Sequence, residues 1–174
     1  LLILSCSNQD KIYKDFNCNI TSYKNLEKLQ DLKNKFSVEL PKSWKTNFFF
    51  DTLQSSIYTA DTTKQLTETF LLDITIINQS IKFDRIFKLK QQQESIAKNL
   101  TNIASGETIL INKPAYYSFS KGIKGSYSYQ VCHYFINTNA QNFIHVKAEV
   151  YGDSLVNNRL CEAFTLLEKI KLIK

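Results

Sequence analysis

Phe36-Ser37-Val38-Glu39-Leu40-Pro41-Lys42-Ser43-Trp44-Lys45 is the stretch of this 174-residue chain that says most about its fold. Phe36, Val38 and Leu40 alternate with Ser37 and Glu39, the period of a strand with one buried face. Pro41 has no amide hydrogen to offer a ladder, so the strand stops there. Trp44, the single tryptophan, follows as a core or rim anchor.

Downstream, residues 48–59 and 68–81 read as a hairpin around the polar turn Asp61-Thr62-Thr63-Lys64. Asp84 is placed to cap a helix running through Arg85, Ile86, Leu89, Ile96 and Leu100. Strands are expected at 108–111, 115–120, 126–137 and 143–151, with Gly122 and Gly125 marking one turn and Asn139-Ala140-Gln141 another. In the last strand Ile144, Val146, Ala148 and Val150 share a face. The final helix sets Leu160, Ala163, Phe164, Leu167 and Ile170 on one side. Upstream, Tyr23, Leu26, Leu29, Leu32 and Phe36 recur at threes and fours, which predicts a helix with Thr21 or Ser22 as N-cap. Residues 7–20 read as a polar tether. This order of elements is that of an α+β domain with a mostly antiparallel sheet.

Composition narrows the function classes. The hydrophobic fraction of 43% and aromatic fraction of 13% exclude a disordered chain. The net charge of +6 comes almost wholly from lysine, with Arg85 and Arg159 the only arginines. Nucleic-acid readers lean on arginine forks, so no nucleic acid is expected as a partner. No stretch approaches the ~20 apolar residues of a membrane helix.

The opening residues carry a localisation signal. Ile3-Leu4-Ser5-Cys6 resembles the bacterial lipobox, in which the signal peptidase cuts before a cysteine that becomes acylated. That resemblance implies a signal-peptide remnant at 1–5, a lipid on Cys6 and a lipidated tether with a helix over 6–34. The folded domain then spans 35–174, in the bacterial cell envelope at the outer membrane. The remaining cysteines, Cys18, Cys132 and Cys161, admit two readings. They are buried free thiols, or one pair forms; Cys132 and Cys161 could meet if the final helix lies on the sheet.

The stretch from Phe36 to Lys45 also resembles the first strand of PsbP-like domains, an alternating strand that runs into Pro and then Trp. A Lys-Gly-Tyr-rich hairpin, the apolar strand Phe143–Tyr151 and a terminal helix ending near Leu166-Leu167-Glu168-Lys169-Ile170 are similar to that family's close. Ser43 and Lys169 depart from it, standing where Gly and a small residue are frequent. The resemblance implies an antiparallel sheet sandwiched by helices, and a role in binding or assembly without catalysis.

Chemical signals are sparse. There is no G-x-S-x-G elbow, phosphate loop or zinc-spaced cysteine pair, so no enzyme activity, cofactor or metal is expected. His133 and His145 lie on neighbouring strands, with Glu149 and Asp153 the nearest acids; they read as ordinary sheet histidines. Tyrosines concentrate in the last third. Tyr116, Tyr117, Tyr127, Tyr129 and Tyr134, with Trp44, form the candidate binding face, because tyrosine couples an apolar ring to a polar tip. The sequence thus favours a lipid-anchored envelope protein that binds an envelope partner. The competing reading is a small-ligand carrier or enzyme with a pocket between sheet and helices.

Overall fold

The computed structural model describes residues 9–18 and 22–173. The chain runs α1 (Gln9–Phe16), β1 (Leu26–Gln30), β2 (Phe36–Pro41), β3 (Lys45–Phe50), β4 (Gln54–Ala60), β5 (Leu71–Ile77), α2 (Arg85–Ala97), β6 (Thr101–Leu110), β7 (Lys113–Lys124), β8 (Tyr127–Asn137), β9 (Phe143–Tyr151), α3 (Val156–Leu167) and β10 (Lys171–Leu172). Seven strands form one antiparallel sheet in the order β3-β4-β5-β9-β8-β7-β6, and β1-β2-β10 form a second, smaller one. The α+β class read from the sequence is the class observed.

Alternation on the central strands divides the large sheet into two faces. Ile57, Leu72, Ile74, Ile144, Val146, Ala148, Tyr134 and Tyr117 point to the inner face, where α1, α3 and the small sheet cover them. Each isoleucine, leucine and valine among them, removed from water, contributes about 1.5–3 kcal/mol. From α3 come Leu160, Ala163, Phe164 and Leu167, as the helical spacing predicts.

Two expectations upstream are corrected. The helix expected over 23–36 does not form, and residues 26–41 make a β-hairpin instead. Asp31 decides this: its carboxylate accepts the backbone N–H groups of Lys33, Lys35 and Phe36, and Asn34 takes a left-handed turn at φ 55°. A helix would leave that carboxylate without its three donors, whereas the turn lets β1 pair with β2 along its whole length. Residues 9–18 are part of the fold, not a tether. Ile12 and Phe16 are fully in the core, and Tyr13 packs edge-on against Phe164 at 4.9 Å.

The cysteines are also corrected. Cys161 bonds to Cys18, 143 positions away in sequence, with Cα atoms 5.4 Å apart. Cys132 is a buried free thiol. It faces the same core as α3, but Cys161 turns toward the end of α1, beside the Phe16 carbonyl. Burial pushes the Cys132 thiol up to about 12, so it behaves as a small apolar group.

Gly122 sits within β7, not in a turn. A Cβ there would meet Leu100 Cδ2 at 2.7 Å and the Asn99 carbonyl at 2.8 Å. The missing side chain lets the link from α2 to β6 lie against the sheet. Arg159, buried at the start of α3, donates to the carbonyls of Thr69, Tyr151, Gly152 and Ser154. One guanidinium thereby ties the approach to β5, the end of β9 and the head of α3 together.

Candidate binding groove

The outer face of the large sheet is only partly covered. Asp84 caps α2 through the Phe87 N–H at 2.9 Å, and α2 lies over one end of the face. No residue of α2 is fully buried. Its attachment comes from Phe83 and Phe87 against Tyr116 and Phe135; the Phe87–Phe135 rings meet edge-on at 5.1 Å. Beyond α2 the outward side chains of β8 and β9 line an open groove.

Register places these side chains. His133 opposes Lys147, Phe135 opposes His145, and Val131 opposes Glu149. Diagonal neighbours on one face are within reach of long side chains. His133 Nδ1 and His145 Nε2 are 2.9 Å apart, so one ring donates and the other accepts. The His145 ring stacks flat on Phe135 at 4.6 Å. Burial and the positive charges of Lys98 and Lys147 hold His133 down at about 4. Burial and the neighbouring His133 take His145 to about 3. Both rings are therefore neutral at pH 7.

Among the described residues, Glu149 is the one buried carboxylate of this face. Tyr129 Oη donates to it at 2.6 Å, and Lys124 and Lys147 pair with it at 3.1 Å each. Burial alone would raise this carboxyl. Its hydrogen bonds from Tyr129, Lys124 and Lys147, with the charge of Lys147, outweigh that and lower it. Asp73, across from Lys147 on β5, is raised by burial, with a hydrogen bond from Thr75 opposing.

Two cavities open along this face. One, of about 390 Å³, lies beside Leu100, Ile123 and Tyr129. The other, of about 670 Å³, lies beside Phe87, Phe135, Phe143 and His145. Lys98, His133 and Lys147 line both, so the two adjoin as one groove. The apolar floor accepts a hydrocarbon or aromatic body, and Lys98 offers a positive charge beside it, next to Lys147 in its pair with Glu149. A hydrolytic site needs a nucleophile beside a base that a third group orients. Here the two histidines satisfy each other. Among the described residues no three of His, Cys, Asp and Glu converge as a metal site.

The aromatic residues singled out from the sequence do not share one surface. Tyr117 and Tyr134 are fully buried on the inner face. Tyr116 lies beneath α2, Tyr129 lines the groove and Tyr127 is exposed. Trp44 sits on the inner side, edge-on to Tyr23 and Phe70. The reason is the period of the strand: Tyr116 and Tyr117 are adjacent and must point to opposite faces. Lys98, Lys147, Phe135 and Phe143 went unnoticed. The signal was present on β9, where His145, Lys147 and Glu149 are the complement of the inner set. Cys6 and the signal remnant at 1–5 lie outside the described residues.

No family model matches this sequence, and no curated protein does. Solved structures do. The cyanobacterial PsbP of Synechocystis superimposes with a TM-score of 0.59 at 10% identity, covering 89% of this chain and 96% of that one. The fold is PsbP-like. The Ran-binding protein Mog1p of Saccharomyces cerevisiae matches with a TM-score of 0.56 at 5% identity, covering 87% of this chain and 97% of its own. A Bacteroides thetaiotaomicron protein matches at 0.55 and 14% identity over 87% of this chain and 50% of that one. At such identities the PsbP-like likeness is one of architecture. Fold alone leaves function to be argued from the site. No helix among the described residues is long and apolar enough to cross a membrane.

Proposed function

We propose that this chain is a lipid-anchored protein of the bacterial cell envelope, acylated at Cys6, that serves as a non-catalytic binding or assembly factor. The observation that carries the binding role is the outer-face groove, with an apolar floor and Lys98 and Lys147 beside it. It suits an envelope partner that inserts an apolar side chain flanked by a carboxylate. The Cys18–Cys161 bond fits an oxidising compartment outside the cytoplasm. Helix α1 starts at Gln9, so a lipid on Cys6 would hold the domain close to the bilayer, without a long spacer. Each acyl methylene in the membrane adds about 0.8 kcal/mol.

Two measurements test this. Intact mass and detergent partitioning of the protein from its native host, beside Cys6→Ala, read the anchor. Added acyl mass and detergent partitioning lost in the variant are expected; an unmodified, water-partitioning chain sinks it. A photo-crosslinking side chain at Lys98 reads the groove. A discrete envelope adduct, weakened at least tenfold by Lys147→Glu, is expected, and an adduct indifferent to that change rejects the groove as the docking site.

The second reading, a small-ligand carrier, draws on the 670 Å³ cavity, which is within the range of small-molecule sites. Native mass spectrometry of protein purified from its host distinguishes the two, since a carrier retains a stoichiometric small molecule.

A further inference from the structure

Strand β3 closes one end of the seven-stranded sheet, and among the described residues it pairs with β4 alone. It holds Phe48, Phe49 and Phe50 at the surface, with Phe49 59% and Phe50 65% exposed. An open edge strand is a template for another strand, and proteins blunt such edges with proline, bulges or charge. The opposite edge, β6, is irregular: its register shifts between Asn102 and Ala104. β3 has neither proline nor bulge, and its six residues pair with β4 in unbroken register.

The ladder decides which backbone groups of β3 face outward. The Asp51 N–H donates to the Gln54 carbonyl and closes the β3–β4 hairpin. Antiparallel pairs alternate between bonded and non-bonded positions. Phe49, Asn47 and Lys45 therefore bond to β4, and Thr46, Phe48 and Phe50 turn their N–H and C=O groups away from it.

We propose that β3 is a self-association edge: two copies of this chain pair their β3 strands antiparallel about a twofold axis at Phe48. In that register Thr46 of each copy opposes Phe50 of the other, so every outward backbone group of the strand finds a partner. Lys45 of each copy then opposes Asp51 of the other, once on each side of the axis. Shifting the register by two residues in either direction removes that ion pair, and a parallel pairing sets Lys45 beside Lys45. Charge complementarity thus selects a second copy in one register. The Asp51 carboxylate is fixed over its own turn, where its Oδ1 accepts the N–H groups of Leu53 and Gln54 at 2.7 and 3.0 Å. Phe48 and Phe50 of both copies come to one side of the joined sheet and shed water together. A twofold contact of this kind is isologous and closed, so it gives a dimer and not a fibre.

Sedimentation velocity over a concentration series, with three variants, tests the proposal. The unaltered chain is expected to dimerise reversibly. Phe48→Pro removes an outward N–H that β4 does not use, so far-UV circular dichroism should stay unchanged while dimerisation weakens at least tenfold. Phe48→Cys places two sulfurs across the axis, where bonded antiparallel partners have Cα atoms about 5.5 Å apart, within disulfide reach. Mild oxidation should give a covalent dimer. Asn47→Cys, one position off the axis, should not. A wild-type chain that stays monomeric at the highest concentration overturns the proposal, even if it captures a strand from a foreign peptide. Asn47→Cys linking as fast as Phe48→Cys overturns the register. The cysteine variants decide the matter if Phe48→Pro fails to fold.

Discussion

Alternate side chains of the large sheet go to its two faces and meet different fates. On the inner face, Leu72, Ile74, Val146 and Tyr134 lie under α1, α3 and the small sheet and lose all contact with water. On the outer face, α2 leaves Ile86 78% and Ile96 71% exposed, and His133, His145, Lys147 and Glu149 stand beside it in a groove. One face is filled to hold the fold, while the other keeps polar groups in mutual contact and leaves space between them. Stability is concentrated on the first, and the second carries the groove.

The inner face should break first. Phe164→Ala, which hollows the contact with Tyr13 and Tyr134, is expected to cost about 3–5 kcal/mol, read as a drop in the denaturant midpoint. Replacing Cys18 and Cys161 together by serine should cost about 2–4 kcal/mol, because the bond closes a loop of most of the chain. Thermal unfolding with and without reductant checks this, and the double variant should no longer respond to reductant.

The outer face should answer to pH. His133 and His145 are held below the 6.5 of an unfolded histidine, to about 4 and about 3. The unfolded chain then binds more protons than the folded one between pH 6.5 and about 3. Stability is accordingly full above 6.5 and falls as pH drops through that window. The groove floor is partly open to water, so the pair should account for about 1–2 kcal/mol of that loss. A His133→Gln, His145→Gln double variant should flatten this part of the pH–stability curve. An unchanged acid limb would mean the rings are already charged in the fold. The smallest effect is expected on α2, where Ile86→Ser should move stability by less than about 0.5 kcal/mol. A larger loss would show that α2 is seated more firmly than its exposure implies.

Much of the architecture could be read from local pattern. The alternation at Phe36–Leu40, the apolar set of β9, the Asp84 cap and the spacing of α3 each lie within a few consecutive residues, and each element formed where its pattern stood. The misreadings came where local spacing pointed away from the element that forms. Tyr23, Leu26 and Leu29 recur at threes, the spacing of a helix and not the period of two of a strand, and the Asp31 carboxylate fixes the hairpin only when Phe36 returns to bond it. The short, polar sequence of α1 carries Ile12 and Phe16 on one side, too little to betray a core element without the partners that bury it.

What the sequence by itself determined is the α+β class, the antiparallel run from β7 to β9, the two covering helices and the absence of an arginine-rich or glycine-rich recognition loop. These depend on periodicity and composition, which act over neighbouring residues. Only the tertiary structure decided that Cys161 meets Cys18 and leaves Cys132 buried, that His133 touches His145, and that Tyr116 lies beneath α2 while Tyr129 lines the groove. Pairings of this kind join positions far apart in the chain. They depend on strand register and helix placement, which the burial of the whole core sets and no single segment encodes.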